Sequence, residues 1–345
     1  MKPRRISLVD VARRAGVSVS AASYAMRNDR NSAHKTRLRV QRIAREMGYR
    51  PDPVIAQLMT KLRDSRAVRS SGRIAFVNPH ADPQFAERGA VRDFFTSAIN
   101  YASDLGYDCE KFWLNDPNFS RKRLPSILLA RGFRGVVFGS TAKHDTRLDF
   151  SIDEFAAITV GLSIFYPPMH RVVTHHYQNA RLALSKVEEA GFRRIGFISG
   201  ARIEAAMDDH HLAAFLVYQR TKPAGDRIPP LVADDLTVSR VASWINRYKP
   251  EVVLGPGELP HCQLLTSAGF RIPRDISYVH LTLSDNHDHS VAGVSHGYDR
   301  LGEAAIDLLD GAMRRTEFGP PNDPKIVQVD GRWNDGPTMR TSRKS

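Results

Sequence analysis

Beyond residue 73 the chain alternates between two kinds of segment. Short β-rich runs at 74–78, 108–114, 135–139, 157–161, 194–199, 252–255 and 277–283 are separated by helical stretches such as 92–105, 180–190, 205–220 and 238–248. A strand that returns beside its parallel neighbour needs a long crossover, usually a helix, so this alternation predicts βαβ units and mostly parallel sheets. About 270 residues exceed what one such sheet organises, which predicts two doubly wound lobes. Ligands of these sheets bind beyond the carboxyl ends of the strands, here in a cleft between lobes. No repeat of fixed period and no low-complexity tract interrupts the pattern.

Composition narrows the class. With 345 residues, 42% apolar and 25% charged, the chain can bury sizeable cores. No run of about 18 apolar residues is present, which predicts no membrane-spanning helix. The basic start MKPRRISLVD is followed by no apolar stretch, so no secretory signal is expected. Two cysteines, Cys109 and Cys262, cannot make a disulfide framework; inert thiols and a reducing cytoplasm are the expectation.

The charge is unevenly placed. Residues 1–73 hold 18 Lys/Arg against 5 Asp/Glu, an excess equal to the whole chain's net +13. The other 272 residues balance at 32 of each sign. A polyanion partner for the first fifth of the chain follows, with a solubilising tail as the bland alternative.

The pattern within that segment favours DNA. Residues 6–15 read ISLVDVARRA, with Ser7 placed to cap and Leu8, Val11, Ala12 and Ala15 at helical spacing. Gly16-Val17-Ser18 breaks the helix, and Ser18 is placed to cap a second short helix over 19–26. A third helix is expected from about residue 34 to 47, its apolar stripe interspersed with Arg37, Arg39, Arg42 and Arg45. Helix, glycine turn, short helix and supporting helix form a helix-turn-helix pattern, and its basic charge argues against a generic three-helix bundle.

The strings LVDVARRAGVSVSAASYAM and KTRLRVQRIAREMGYRPD resemble the DNA-binding headpiece of the LacI/GalR regulator family over about fifty residues. The resemblance implies a second helix entering the major groove with Val19, Ser20, Ala21, Ser23 and Tyr24. Ser20 and Tyr24 have the chemistry to read base edges and Val19 to meet a thymine methyl. Ser7, Ser18, Ser23, Asn28, Asn31 and Thr36 are the candidates for phosphate positioning. Tyr24 stands where many members carry a base-reading arginine, so the operator preference of a relative does not transfer. After the Tyr49-Arg50-Pro51-Asp52 entry, Pro53, Val54, Ile55, Gln57 and Leu58 resemble a hinge helix (about 52–60), with Leu58 as the residue that wedges into the minor groove. Ile55 and Ala56 depart from the usual residues there. The implied domains are a headpiece with hinge at 1–60, a Ser/Arg-rich linker at 61–72 and a two-lobed body at 73–345.

The body resembles the family's periplasmic-binding-protein-like effector core, carried by AGFRRIGFISG, HHLAAFLVYQ, GFRIPRDISYVHL and RLGEAAIDLL. The overall expectation is therefore an all-α helix-turn-helix headpiece plus an α/β body. The polar positions that usually grip a sugar are the ones that depart. His211 precedes Phe215 where an arginine is common, Gly257-Glu258 replaces an Asn-Asp pair, and Thr282 and Ser284 stand where an acid is expected. The effector candidates are Asn78, Phe85, Ser140, His176, His211, Glu258, Thr282, Ser284 and His296. A sugar is the expected effector class; an unrelated ligand, or none, stays open.

Three other signals carry less. Gly293-Val294-Ser295-His296-Gly297 matches the hydrolase G-x-S-x-G, but the catalytic histidine should follow, and His296 is the last one in the chain. The pairs His175-His176 and His210-His211 and the set His287, His289 lack a tetrahedral metal spacing, so no metal is expected and satisfied surface or cleft histidines are the default. No nucleotide or cofactor fingerprint is present. The reading is a cytoplasmic, homodimeric, operator-binding regulator controlled by a small molecule, without enzymatic, cofactor or membrane roles. The absence of a heptad run after Trp333 favours a dimer over a tetramer. A sugar-carrier-like protein is the alternative.

Overall fold

The computed structural model describes residues 8–26, 34–49, 72–118, 120–141, 146–257, 260–284 and 290–340. The chain divides into two units, Met1–Ser70 and Ser71–Ser345.

The first unit holds α1 (Leu8–Ala15), α2 (Val19–Met26) and α3 (His34–Glu46). Gly16 takes φ +63°, and the Val17 N–H donates to Ala12 O at 3.1 Å, a left-handed close that turns the chain sharply out of α1. The Ser18 hydroxyl accepts from the Ala21 N–H at 3.1 Å and so caps α2. Val11, Ala12, Ala15, Ala22, Ala25, Val40 and Ala44 form the core. Five alanines let the helices approach closely, and the Gln41 side chain donates to Ala25 O at 2.9 Å, tying α3 to the end of α2.

The second unit contains two six-stranded sheets. Before the first crossing run β1 (Arg73–Asn78), α4 (Gly89–Asp104), β2 (Asp108–Trp113), α5 (Leu124–Ala130), β3 (Phe133–Phe138), β4 (Thr146–Arg147), β5 (Ala156–Val160), β6 (Ile164–Tyr166) and β7 (His170–Thr174). There follow α6 (His176–Glu189), β8 (Ile195–Gly200), α7 (Ala201–Ala206), α8 (His210–Arg220), β9 (Leu231–Ala233), α9 (Val238–Tyr248), β10 (Val252–Gly255), α10 (Pro260–Ser267), β11 (Ser277–Leu283) and β12 (Gly293–Ser295). The chain ends with α11 (Tyr298–Arg315), β13 (Ile326–Val329) and β14 (Arg332–Asn334). The first lobe has strand order β13-β7-β5-β3-β1-β2, the second β14-β12-β11-β10-β8-β9, and β4 pairs with β6 in a small separate ladder. Every pairing is parallel except β12 with β14.

The order of elements requires three crossings between lobes. The chain passes from β7 to α6 in the second lobe, from β12 back to α11 in the first, and from β13 to β14 in the second again. Accordingly α6 contributes Ala180, Ala183, Leu184 and Val187 to the second lobe's core, and α11 contributes Leu301, Ala305, Ile306 and Leu309 to the first. Central strands such as β5 are buried along their whole length, the reason they read as continuous apolar runs. One expected element is corrected: the 205–220 helix is two helices. Asp208 and Asp209 adopt φ +54° and +55°, which short polar side chains tolerate, and break the run between α7 and α8. The Glu204 carboxylate then accepts from the Leu212 N–H at 3.0 Å, satisfying one of the free donors at the start of α8.

Candidate DNA-binding and effector sites

In the headpiece, Arg13, Arg14, Lys35, Arg39, Arg42 and Arg45 are exposed. Among the described residues of this unit their ion pairing is slight: Arg42 lies 3.9 Å from Glu46, an exposed pair of small worth. The charge is therefore free for a polyanion. Val19, Ser20, Ala21, Ser23 and Tyr24 all lie on α2, with Ala21 half-buried and Ser18 at its cap. Thr36 lies in the first turn of α3, half-buried. Ser7, Asn28, Asn31, Pro53, Val54, Ile55, Gln57 and Leu58 fall outside the described residues.

The effector candidates separate into three groups. The first organises a loop. The buried Asn78 amide donates to Asp82 O and Pro83 O at 3.3 Å each, and its Oδ1 accepts from the His80 N–H at 3.0 Å. Phe85 stacks on the His80 ring at 3.9 Å. Ser140 follows the end of β3 and is half-buried.

The second group lies at the end of β11. The Thr282 hydroxyl accepts from the Gly257 N–H at 2.9 Å, joining the β10 and β11 ends. Ser284 donates to the Asp93 carboxylate of α4 at 2.7 Å, a bond from the second lobe to the first. Asp93 carries no sequence signal that marks it among the acids of the chain. Glu258 lies outside the described residues.

The third group is the one the structure brings together. His176, His211 and His296 are 8%, 0% and 3% exposed. The His176 ring centroid lies 4.9 Å from His211 and 5.3 Å from His296, both edge-to-face. The expectation of satisfied histidines is corrected here. His176 Nδ1, both His211 nitrogens and His296 Nε2 are buried without a hydrogen-bond partner. His211 Nδ1 is 3.7 Å from Glu204 Oε1, too long for a hydrogen bond, and Glu204 is already engaged by Ser199 Oγ and the Leu212 N–H at 3.0 Å each. His296 Nδ1 sits 3.4 Å from Thr174 Oγ1 at the end of β7. Burial, then the neighbouring imidazoles, holds His176 well below the usual histidine range and His296 at about 3. His176 and His296 lie at crossings and His211 on α8, so wide sequence separation hides the cluster.

Among the described residues, no group of three His, Cys, Asp or Glu side chains is placed to hold a metal ion. No described helix is long and apolar enough to cross a membrane. Burial pushes the half-buried thiols of Cys109 and Cys262 up to about 11, which keeps them protonated and weakly nucleophilic near neutral pH. Ser295 of the G-x-S-x-G match lies in buried β12, with its glycines serving the backbone: a Cβ on Gly293 would stand 2.2 Å from His280 O, and Gly297 takes φ +65°.

A helix-turn-helix unit followed by two parallel-sheet lobes joined by three crossings defines a DNA-binding regulator with a periplasmic-binding-protein-like core. Residues 7–52 match the family described as bacterial regulatory proteins, lacI family. The chain is 24% identical over 333 residues to the HTH-type transcriptional repressor CytR of Escherichia coli (strain K12), covering 91% of each chain. It is 24% identical over 322 residues to the HTH-type transcriptional repressor PurR of Klebsiella pneumoniae (strain 342), covering 88% of this chain and 89% of that one. The fold is similar to a lac repressor dimer bound to operator and an anti-inducer (TM-score 0.55, 18% identity, 97% and 99% of the two chains). It is also similar to the regulator CelR in its cellobiose complex (TM-score 0.52, 17% identity, 97% and 100%). The match at 7–52 is to a lacI-family DNA-binding segment, and the chain as a whole is similar to transcriptional repressors of the LacI/GalR type.

Proposed function

We propose that this regulator is a cytoplasmic repressor that binds operator DNA as a homodimer and is controlled by a small molecule, a sugar being the class expected. The observation that carries the reading is the capped α2 of a helix-turn-helix unit bearing exposed, largely unpaired arginines. In this reading Val19, Ser20, Ala21, Ser23 and Tyr24 meet base edges, while Ser7, Ser18, Asn28, Asn31 and Thr36 fix register on phosphates. Pro53, Val54, Ile55, Gln57 and Leu58 form a hinge in the minor groove, within a headpiece of 1–60, a linker of 61–72 and a body of 73–345. The effector occupies the cleft at the strand ends, near Ser140, Thr282 and the buried histidines; the cellobiose bound by CelR supports a sugar.

Effector binding shifts DNA affinity only by its differential affinity for two lobe arrangements, which the three crossings transmit. The lobes alone would also suit a sugar carrier, and the headpiece match at 7–52 weighs against that alternative. Thermal shift against a sugar library tests the effector class. A sugar at 100 times its Kd adds about 2.7 kcal/mol to stability, and a library without any shift refutes the sugar assignment.

A further inference from the structure

The crossings between lobes are unusually rich in imidazole. The first carries His175 and His176, the second His296, and the third Asp330, whose carboxylate lies 2.8 Å from His175 Nδ1. The straps are also tied to one another. Arg300 of α11 donates to Asp330 O at 2.7 Å, and the Gly331 N–H donates to Asn179 Oδ1 of α6 at 2.7 Å. Away from the straps, the Ser284–Asp93 bond holds the lobes together at a second point.

Within this region sit three buried rings with four unpartnered nitrogens. The groups facing them come from every surrounding element. From α7 there is one carboxylate, Glu204, committed to Ser199 and Leu212. From α8, β11 and the start of α6 come further imidazoles, His210, His280 and His175. From α11 the Tyr298 ring lies 4.8 Å from His296. One engaged carboxylate, beside His211, cannot also neutralise imidazolium ions at His176 and His296, and His176 Nδ1 and His296 Nε2 are buried without a partner.

We propose that His176 and His296, packed around His211, make the strap region a proton-operated catch: the lobe arrangement seen here requires these two rings neutral, and acidification favours an opened arrangement in which water reaches them. The inference concerns the lobes alone and stands apart from the DNA reading. Burial depresses the basicity of His176 and His296, so protons bind the opened form preferentially. The effect is absent above the ordinary histidine value of about 6.5 and grows as pH falls below it. At pH 5.0 each ring that becomes solvated favours the opened form by about 30-fold relative to neutral pH.

The test uses the full chain without DNA or effector. Cys109 and Cys262 are replaced by alanine, and donor and acceptor dyes are attached through Asn100→Cys on α4 and Ser239→Cys on α9, both exposed sites on different lobes. Energy transfer should be constant from pH 8 to 7 and change below about 6, with at least a tenfold shift in the opened-to-closed ratio by pH 5. In the double variant His176→Asn/His296→Gln most of that response should vanish. An unchanged transfer down to pH 5 in a chain still folded by circular dichroism overturns the proposal, as does a double variant that responds like the parent. Should the double variant not fold, histidine NMR of the unsubstituted chain decides. His176 and His296 should take up protons only together with the change in transfer, and independent titrations of these two near 6.5 with fixed transfer overturn the catch.

Discussion

Two glycines nine residues apart in α11 should respond to the same substitution with opposite signs. Gly302 is buried where α11 crosses α4. A Cβ there would stand 2.7 Å from Ala98 N and 2.8 Å from Ser97 Oγ, and Ser97 is itself fixed by donating to Asp299 O at 2.7 Å. The nearest obstacle is backbone, so relief requires α4 to move as a body. Gly311 meets the far end of the Arg315 side chain, at 3.0 Å, an exposed guanidinium paired with Glu317 that needs to give by only a few tenths of an ångström. Alanine gains about 1 kcal/mol over glycine in a helix interior at either site. At Gly302 an overpacking cost of about 3 kcal/mol, the upper part of the usual range, leaves a net loss of about 2 kcal/mol. At about 2–4 °C per kcal/mol, Gly302→Ala should lower the body's Tm by about 4–8 °C and Gly311→Ala should raise it by about 2–4 °C. Calorimetry of the full chain reads both. Shifts of the same sign, or a neutral Gly302→Ala, would refute the close approach of α4 and α11.

Other predictions concern the headpiece. Ser18→Ala removes the α2 cap and should cost about 1 kcal/mol of headpiece stability, read from its urea midpoint without DNA. Tyr24→Phe should relax preference at one operator position per half-site by about 1–3 kcal/mol and leave nonspecific binding unchanged; equal losses in both would make Tyr24 a packing residue. Leu58→Ala should lower specific affinity by about 1–3 kcal/mol and reduce the operator bend measured by energy transfer, with the salt slope preserved. An unchanged bend would make Leu58 a linker residue.

Much of the fold is legible in the sequence because parallel strands buried on both faces are continuous apolar runs. β10 is such a run, β11 is a largely buried strand, and both match their expected limits. β7 is not legible in the sequence because His170, Arg171 and Thr174 are buried in it, so its polar ends disguise a core strand. The return strands β13 and β14 are half-exposed edges without a strong pattern. The break at Asp208-Asp209 depends on two left-handed aspartates that helical spacing alone does not reveal. In the headpiece the glycine turn and capping serine announce themselves, since both act on neighbours within three residues. The histidine trio does not, because residues 176, 211 and 296 stand on elements far apart in sequence and no local pattern encodes their meeting. The G-x-S-x-G match is the converse case, a chemical motif produced by a strand that needs a glycine for close packing and another for a left-handed turn.

The central claim is sequence-specific recognition of DNA by this headpiece, and selection of bound fragments from the organism's own genomic DNA, followed by titration at several salt concentrations, tests it most directly. The account predicts discrete sites with two related half-sites, bound at least about a thousandfold more tightly than bulk DNA near physiological salt. The logarithm of affinity should fall linearly with the logarithm of salt concentration as the arginines displace counterions. Uniform binding to all fragments, or retention of none at low salt, would contradict it.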